Sequence, residues 1–163
     1  MRTRWVLAAV MPFAGAGVLL WARRRLVAIT VTGLSMTPAY QDRDRVLVRR
    51  VPLGKVRTGD VVVVEQPPPR WSTRPGRAEL VIKRVAGTPG EALPTEMKGS
   101  LPDDVVPGGC LVVLGDNPAE SYDSRHFGYV PADRLVGLVV RELGRNPVKS
   151  GSSPVRGAIG HLR

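Results

Sequence analysis

The sequence contains very few of the residues that form disulfides and metal sites. Its 163 residues include one cysteine, Cys110, and two histidines, His126 and His161. One cysteine excludes an internal disulfide and a multi-thiolate zinc site, and two histidines leave no His-rich cluster for a metal. We therefore expect the protein to work without a metal ion.

Aromatic residues are also scarce, at 5%, whereas glycine (18) and proline (15) are frequent. This composition favours short strands separated by turns over long helices. Hydrophobic residues make up 43% of the chain, which is enough for a packed core. The length allows one domain, or a small domain with a membrane anchor.

Acidic residues are missing from the amino-terminal end of the chain. Residues 1–25 contain five arginines and no acid, and residues 141–163 carry a net charge of +4. Residues 26–140 are almost neutral, with 14 basic and 13 acidic side chains, although the whole chain carries +10. A nucleic-acid-binding domain needs a basic face on its folded body, so we expect no nucleic-acid partner. Charge at the two ends suits the surface of an anionic lipid bilayer.

Residues 5–21 form an uncharged run that is flanked by arginines on both sides. As a helix the run would span roughly 25 Å, and its terminal tryptophans and flanking arginines can make up the shortfall against a bilayer. A cleaved signal peptide is a weaker interpretation because three arginines occupy the place of a small-residue cleavage site. A buried core helix and a helix in the membrane interface both need a polar stripe, which this run lacks. We predict a single transmembrane helix that anchors the chain, within residues 1–25.

Six short runs rich in valine, leucine and isoleucine follow the predicted anchor. Glycine, proline and aspartate separate them, which is the pattern of strands joined by turns. The runs are residues 26–36, 45–50, 60–66, 80–87, 110–116 and 134–143. The prediction is a mainly β protein, with an antiparallel-sheet domain over residues 26–143 and a flexible basic tail over residues 144–163. Residues 67–77 have the composition of a loop that extends a hairpin, and residues 88–109 that of a polar, turn-rich insert.

Lysine is rare, with four lysines against twenty arginines, and Lys83 alone lies inside an apolar strand-like run. If the strand packs that side chain inward, the loss of water lowers the lysine pKa and favours the neutral amine, a competent general base. Arginine does not lose its proton in proteins and cannot take this role. The alternative is a lysine on the solvent face of an edge strand, and the pattern alone favours this alternative.

Ser35 lies where a strand-like run gives way to a turn that ends at Pro38. Such a turn can present a hydroxyl and backbone N–H groups to a substrate carbonyl, although a serine in a turn is also ordinary. A Ser-His-Asp triad would need His126, which adjoins Arg125 in a charged turn, or His161, which lies in the tail. Neither position suits a triad.

A dense polar turn over residues 115–128 follows the apolar run that begins at Cys110. Asp123 and Arg125 are two residues apart in it, so they lie on one face of an extended segment and can pair. The alternative is a capped surface loop whose charges are solvated.

Four segments, taken in order, resemble the successive conserved boxes of the bacterial type I signal peptidases, which are membrane-anchored serine proteases with a Ser/Lys dyad. The segments are GLSMTP (33–38), GDVVVVEQP (59–67), LVIKRVAGTPGE (80–91) and GDNPAESYDSRHFGYVP (115–131). The resemblance covers residues 26–140, and its last segment is the most diagnostic. The fold of that family is a β-rich domain of antiparallel sheets, in agreement with the strand pattern.

The resemblance implies a role for each matching residue. It places the nucleophile of the family at Ser35, its general base at Lys83, and the serine that hydrogen-bonds the lysine amine at Ser121. It places the aspartate and the arginine that brace the active site at Asp123 and Arg125. This chemistry needs no cofactor.

The resemblance also concerns the oxyanion hole and the substrate pocket. The family uses the backbone N–H of the nucleophile, and some members add a hydroxyl from the residue two positions earlier. That position is Gly33 here, so a backbone N–H or water has to replace the hydroxyl. Met36 is expected to help shape the substrate pocket.

The implied function is the removal of signal peptides from exported preproteins, with cleavage after small residues in an Ala-x-Ala-like pattern. The implied partners are signal-peptide-bearing preproteins and the lipid bilayer. The resemblance puts the catalytic domain on the extracytoplasmic side of the cell membrane. The flanking charges alone would slightly favour a cytoplasmic body, so the sidedness comes from the resemblance.

Three alternatives stand beside this interpretation. The segment between the lysine and the GDN segment is far shorter than in large family members, which is compatible with a dedicated maturation protease for one exported precursor. A catalytically inactive membrane-anchored binding scaffold is expected to lack Ser35 or Lys83, and both are present. A LexA-like autoprotease shares the dyad, but it is soluble, carries a DNA-binding domain and lacks the last of the four segments.

Overall fold

The computed structural model describes residues 25–67 and 78–145, and these residues form a mainly β structure. The strands are β1 (Leu26–Thr30), β2 (Asp44–Arg49), β3 (Val61–Gln66), β4 (Glu79–Gly87), β5 (Cys110–Leu114), β6 (Val130–Pro131) and β7 (Leu135–Arg145). One short helix, α1, covers Ser124–Phe127, and single 3-10 turns occupy Leu53–Lys55, Thr95–Met97, Pro118–Glu120 and Ala132–Arg134. Six of the strands coincide with the six predicted runs, whereas β6 is too short to produce a sequence pattern.

The seven strands form one antiparallel sheet in the order β1-β2-β7-β3-β4-β5-β6. The last described strand, β7, lies between β2 and β3 and pairs with both. In the described part of the chain, β1 pairs with β2 alone. Strand β5 covers only the half of β4 from Arg84 onward, so the first half of β4 pairs with β3 alone. Among the described residues, the outer edge of β1 and the side of the first half of β4 that faces away from β3 are therefore unpaired.

Strand β3 is buried on both of its faces, which explains its unbroken run of valines. Val61 and Val63 pack into one apolar cluster, while Val62 and Val64 pack into a second cluster on the other side of the sheet. Side chains alternate between the faces of a strand, so a strand covered on both sides needs apolar residues at every position.

The sequence predicts a polar, turn-rich insert over residues 88–109, and the structure shows that part of this insert is apolar and buried. Leu93, Met97 and Val106 are buried and pack with Val112 of β5 in a third apolar cluster. These three side chains stand among prolines, glycines and charges, and Val106 lies nine residues after Met97, so they do not form a sustained helical or strand period. The segment is therefore a packed insert rather than a solvated loop.

Three predicted segments lie wholly or largely outside the described residues. The predicted anchor over residues 1–25 contributes only its last residue to the described part. No helix among the described residues has the length and apolar character needed to cross a membrane. The predicted loop over residues 67–77 contributes only its first residue, and the tail over residues 144–163 contributes its first two, which complete β7.

Gly137 of β7 lies where β7 and β2 approach too closely for a side chain. A Cβ there would lie 2.9 Å from the carbonyl carbon of Arg49 in β2. We expect Gly137→Ala to lower the free energy of unfolding by about 1–3 kcal/mol, because the backbone of β2 can yield only by disturbing the strand pairing. Urea unfolding measures the loss. Gly54→Ala is the control, since nothing lies within 4 Å of its added Cβ, and equal stability of the two variants would contradict this packing.

Candidate active site

Lys83 of β4 lies at the centre of the site, and its side chain is buried rather than solvent-facing. Only 3% of its surface is exposed, and Nζ donates a hydrogen bond to Ser121 Oγ at 3.1 Å. Burial lowers the pKa of Lys83 from 10.5 to about 8, although the nearby Asp123 carboxylate acts in the opposite direction. A substantial fraction of the amine is therefore neutral at mildly alkaline pH.

Asp123 is the buried anion that organises the polar groups around Lys83. Its carboxylate has no exposed surface, and it accepts hydrogen bonds from Ser121 Oγ at 2.6 Å and from the Gly115 N–H at 2.9 Å. Arg125 donates to both carboxylate oxygens, from Nε at 2.9 Å and from Nη2 at 2.6 Å. Burial by itself would raise the pKa of Asp123, but the hydrogen bonds that the carboxylate accepts, first those from Arg125, lower it to about 2.

The ionised carboxylate sets the direction of the hydrogen bonds around it. Because Asp123 can only accept, the Ser121 hydroxyl has to donate to it. The oxygen of Ser121 then accepts a hydrogen bond from Lys83, which leaves the lone pair of the neutral amine available for another proton. An amine held in this way donates on one side and can act as a base on the other.

Asp123 also caps the short helix α1. Its Oδ1 accepts the backbone N–H of Arg125 at 3.2 Å, and His126 Nδ1 accepts the backbone N–H of Asp123 at 3.3 Å, which completes a capping box. The ring of His126 stacks on Tyr122. His126 therefore belongs to the helix cap, and His161 lies outside the described residues.

Ser35 is half-buried in the turn that follows β1. Gly33 enters this turn with a φ of +90°, a conformation that favours glycine, and its N–H donates to Asp42 Oδ1 at 2.9 Å. The N–H of Ser35 has no hydrogen-bond partner in the described part of the chain, so it can donate to an oxyanion. Met36 is fully buried in the first apolar cluster and packs under the turn instead of lining the cleft described below.

Asn117 holds the Ser35 turn in place. Its backbone N–H donates to the carbonyl of Ser35 at 3.0 Å. Its side-chain amide donates to Thr37 Oγ1 at 3.0 Å and to the Leu34 carbonyl at 3.3 Å. One residue thus supplies three hydrogen bonds to a turn that lies outside helices and strands, and it fixes the position of the serine relative to β5.

Gly115 brings the serine turn close to the lysine network. A Cβ at this position would lie 2.6 Å from the carbonyl oxygen of Ser35 and 2.6 Å from Cβ of Ser121. Only glycine allows both groups to approach the chain so closely. The Ser35 hydroxyl makes no hydrogen bond to Lys83 within the described structure, and catalytic hydrogen bonds of this kind commonly tighten only when substrate binds.

An ion pair links the loop that contains Gly115 and Asn117 to β4. Arg84 donates from Nε and Nη2 to the two oxygens of Asp116, at 2.8 and 2.7 Å. The sequence patterns assign no role to Arg84 or to the residues 115–117, although these residues position the turn and the base. A signal was present, because the Gly-Asp-Asn triplet directly follows an apolar strand, but spacing alone does not show which groups it contacts.

An apolar cleft begins at Ser35 and lies between the unpaired edges of β1 and β4. It is lined by the polar residues Thr30, Thr32 and Ser35 and by apolar side chains of β1 to β4 and of the residue after β1, namely Ile29, Val31, Val46, Val63, Val81 and Ile82. The exposed side chain of Leu80 lies at its rim. Two free strand edges beside an apolar groove can bind a peptide in extended form through main-chain hydrogen bonds.

The assembled groups suit acyl transfer through a serine. Such a reaction requires a nucleophile, a base and an oxyanion donor, and a hydroxyl, a partly neutral amine and an unpaired backbone N–H are groups that could fill these roles. Within residues 25–67 and 78–145, no three His, Cys, Asp or Glu side chains are grouped so that they could hold a metal ion. The fold and the site are thus those expected of a β-sheet protein that could carry out acyl transfer through a serine.

Comparison with protein families identifies the class more closely. The family described as "Signal peptidase, peptidase S26" matches residues 2–100 and 91–142 of the chain. The chain belongs to this family of serine peptidases. The resemblance seen in the four sequence segments is thereby confirmed.

Individual relatives agree with the family match. "Signal peptidase I" of Leptolyngbya laminosa is 33% identical over 127 residues, which cover 65% of this chain and 63% of the relative. "Signal peptidase I" of Bacillus caldolyticus is 29% identical, with 67% and 74% covered. "Mitochondrial inner membrane protease subunit 2" of Schizosaccharomyces pombe is 32% identical, with 76% and 68% covered. The chain thus spans less than two thirds of the length of the Leptolyngbya laminosa relative.

The burial of Lys83 predicts how the stability of the fold depends on pH. Between the folded pKa of about 8 and the ordinary value of 10.5, the unfolded chain binds more protons, so stability rises with pH in this window. Below pH 8, the burial of the charged amine lowers the free energy of unfolding by up to about 3 kcal/mol. We expect Lys83→Met to be more stable than the wild type at pH 7 by up to this amount, and we expect the advantage to shrink from pH 8 to pH 10.5.

Urea unfolding of the full chain in detergent across this pH range measures the effect. Lys98→Met is the matched control, because Lys98 is exposed and its loss removes the same charge without relieving burial. A stability difference between Lys83→Met and the wild type that does not change with pH would contradict the lowered pKa.

Proposed function

We propose that this protein is a membrane-bound serine endopeptidase that removes signal peptides from exported preproteins, with Ser35 as nucleophile and Lys83 as general base. The observation that carries the proposal is the chain of hydrogen bonds from Arg125 through Asp123 and Ser121 to Lys83. It holds a buried amine in a fixed orientation, with its lone pair unused by the network. Membership of the signal peptidase family supplies the substrate class.

The proposed reaction proceeds by two acyl transfers. The lone pair of Lys83 takes the proton of Ser35 Oγ as this oxygen attacks the scissile carbonyl. The Ser35 N–H donates to the resulting oxyanion. When the C–N bond breaks, the ammonium of Lys83 returns a proton to the leaving amine. Lys83 then takes a proton from water, the hydroxide attacks the acyl-enzyme ester, and Ser35 Oγ leaves and regains its proton.

The cleft supports a substrate that binds as an extended strand. Strands β1 and β4 present unpaired edges on its two sides, so a peptide between them can form main-chain hydrogen bonds with both. The side chains on the walls are mostly valine and isoleucine, which leave room for small residues at the positions that face inward. This agrees with cleavage after an Ala-x-Ala-like pattern.

The domain arrangement that we propose follows the sequence. Residues 1–25 form an amino-terminal membrane anchor, residues 26–143 the protease domain and residues 144–163 a basic tail. We place the anchor as a single pass in the cell membrane and the protease domain on the extracytoplasmic side. The mitochondrial relative is itself named an inner membrane protease subunit, which supports attachment to a membrane. Ser35 lies shortly after the predicted anchor, so the site is held near the bilayer, where a tethered preprotein presents its cleavage site.

Substitution of either proposed dyad residue should abolish cleavage. With a preprotein that carries an Ala-x-Ala site, in detergent, we expect Ser35→Ala and Lys83→Ala to lower kcat/KM by at least about 1,000-fold, because each removes a group without which the other cannot act. Ser100→Ala and Lys98→Ala are matched controls with exposed positions, and they should retain wild-type rates. Activity that survives in Ser35→Ala or Lys83→Ala would overturn the dyad.

The pH dependence of cleavage should report the amine of Lys83. Because only the neutral amine can accept the serine proton, we expect kcat/KM to rise about tenfold per pH unit below the pKa of about 8 and to level off above it. A pH–rate profile of the wild-type enzyme on one preprotein checks this. A rate that falls as the pH rises through 8 would assign the base to another group.

A further inference from the structure

A concave basic pocket lies beside the first strand of the domain. It is lined by Arg25, Arg49, Arg50, Val51, Pro52 and Lys55. We refer to these six residues as the basic pocket. It shares no residue with the apolar cleft that begins at Ser35, so the peptidase mechanism leaves it unused.

The cations of the basic pocket have no acidic partners. In the described ranges, none of its three arginines and its lysine has a carboxylate oxygen within 4.0 Å. The arginines near the active site differ in this respect, because Arg84 and Arg125 each form an ion pair with an aspartate. Within residues 25–67 and 78–145, no ion pair therefore compensates the positive charge of the pocket.

The fold itself forces these charges together. The N–H of Arg50 donates to the carbonyl of Arg25 at 2.9 Å, which places the two residues side by side where β1 begins and β2 ends. Arg49 pairs with Leu26 in the same ladder. The 3-10 turn that ends at Lys55 adds the fourth cation. Like charges on neighbouring strands repel each other. An anion bound between them is attracted to each cation, and this attraction offsets the repulsion.

The position of the basic pocket indicates the source of such an anion. Arg25 is the first described residue, and in the sequence it directly follows Arg23, Arg24 and the uncharged run 5–21. If that run is the anchor proposed above, the pocket lies where the chain leaves the bilayer, at the level of the lipid headgroups. Val51 and Pro52 give the pocket an apolar part beside its charges, which suits the glycerol and first acyl carbons of a lipid.

We propose that the basic pocket binds the phosphate headgroup of an anionic phospholipid and so docks the protease domain on the membrane surface. The inference rests on the membrane attachment in the proposed function, but it does not depend on which residues catalyse peptide cleavage. Docking through β1 and β2 would set the orientation of the cleft, since β1 forms one of its walls.

Competition between two lipids tests the proposal on the full chain in detergent. The protein is incubated with equal amounts of phosphatidylglycerol and phosphatidylcholine, and the retained lipids are counted by native mass spectrometry. We expect the wild type to prefer phosphatidylglycerol, and we expect the double variant Arg49→Gln/Arg50→Gln to lose about tenfold or more of this preference. The single variant Lys55→Gln should lose less. The matched control Arg45→Gln/Arg134→Gln removes two exposed charges outside the pocket and should keep the preference.

The outcomes distinguish a lipid headgroup in the pocket from free phosphate and from a general effect of positive charge. An unchanged preference in the pocket variants, or an equal loss in the control, would overturn the proposal. Displacement of phosphatidylglycerol by inorganic phosphate at the same concentration would mean that the site takes free phosphate, and the lipid assignment would fall. Preprotein cleavage by the same variants shows that they fold. Absence of cleavage in the wild type would count against the proposed function, while the lipid preference would stand on its own.

Discussion

A buried, ionised carboxylate determines how the polar part of this domain is assembled. Asp123 has no exposed surface, and a lone charge in that position would cost several kcal/mol. The cost is offset because the carboxylate accepts hydrogen bonds from the guanidinium of Arg125, the hydroxyl of Ser121 and the N–H of Gly115. These donors come from the helix, from the turn before it and from the end of β5, so one charge ties three pieces of backbone together.

The same charge governs the lysine. Burial lowers the pKa of Lys83, whereas the negative charge of Asp123 raises it, and Arg125 reduces that influence. The balance leaves an amine that titrates at about 8 instead of one that is permanently charged or permanently neutral. Arg125 therefore does more than neutralise Asp123, since it also limits how strongly the carboxylate stabilises the protonated lysine.

The sequence predicts the strands well and the contacts between loops poorly. Runs of valine, leucine and isoleucine locate six strands, because a buried strand needs apolar side chains at successive positions, as β3 illustrates. The resemblance to a family names Ser35, Lys83, Ser121, Asp123 and Arg125, and all but Ser35 belong to the hydrogen-bonded network around the lysine. The carbonyl of Ser35 adjoins this network across Gly115.

Several long-range contacts, and the order of the strands, could not be predicted from the sequence pattern. The hydrogen bonds from Asn117 to the Ser35 turn and the ion pair between Arg84 and Asp116 join residues that are distant in the chain. Local spacing carries no information about such contacts. The burial of Met97 is hidden from the pattern for a related reason, because an apolar cluster built from scattered residues has no period. The place of β7 between β2 and β3 is likewise a property of the topology and not of any strand sequence.

The place of β7 bears on when the enzyme can become active during its own synthesis. Strands β1 and β2 on one side, and β3 to β6 on the other, do not pair with each other in the described sheet, and β7 alone joins them. The cleft has β1 as one wall and β4 as the other. Because β7 alone joins the two halves of the described sheet, we expect the groove between β1 and β4 to form only after β7 has paired with both, and therefore after Ser35 and Lys83 have been synthesised.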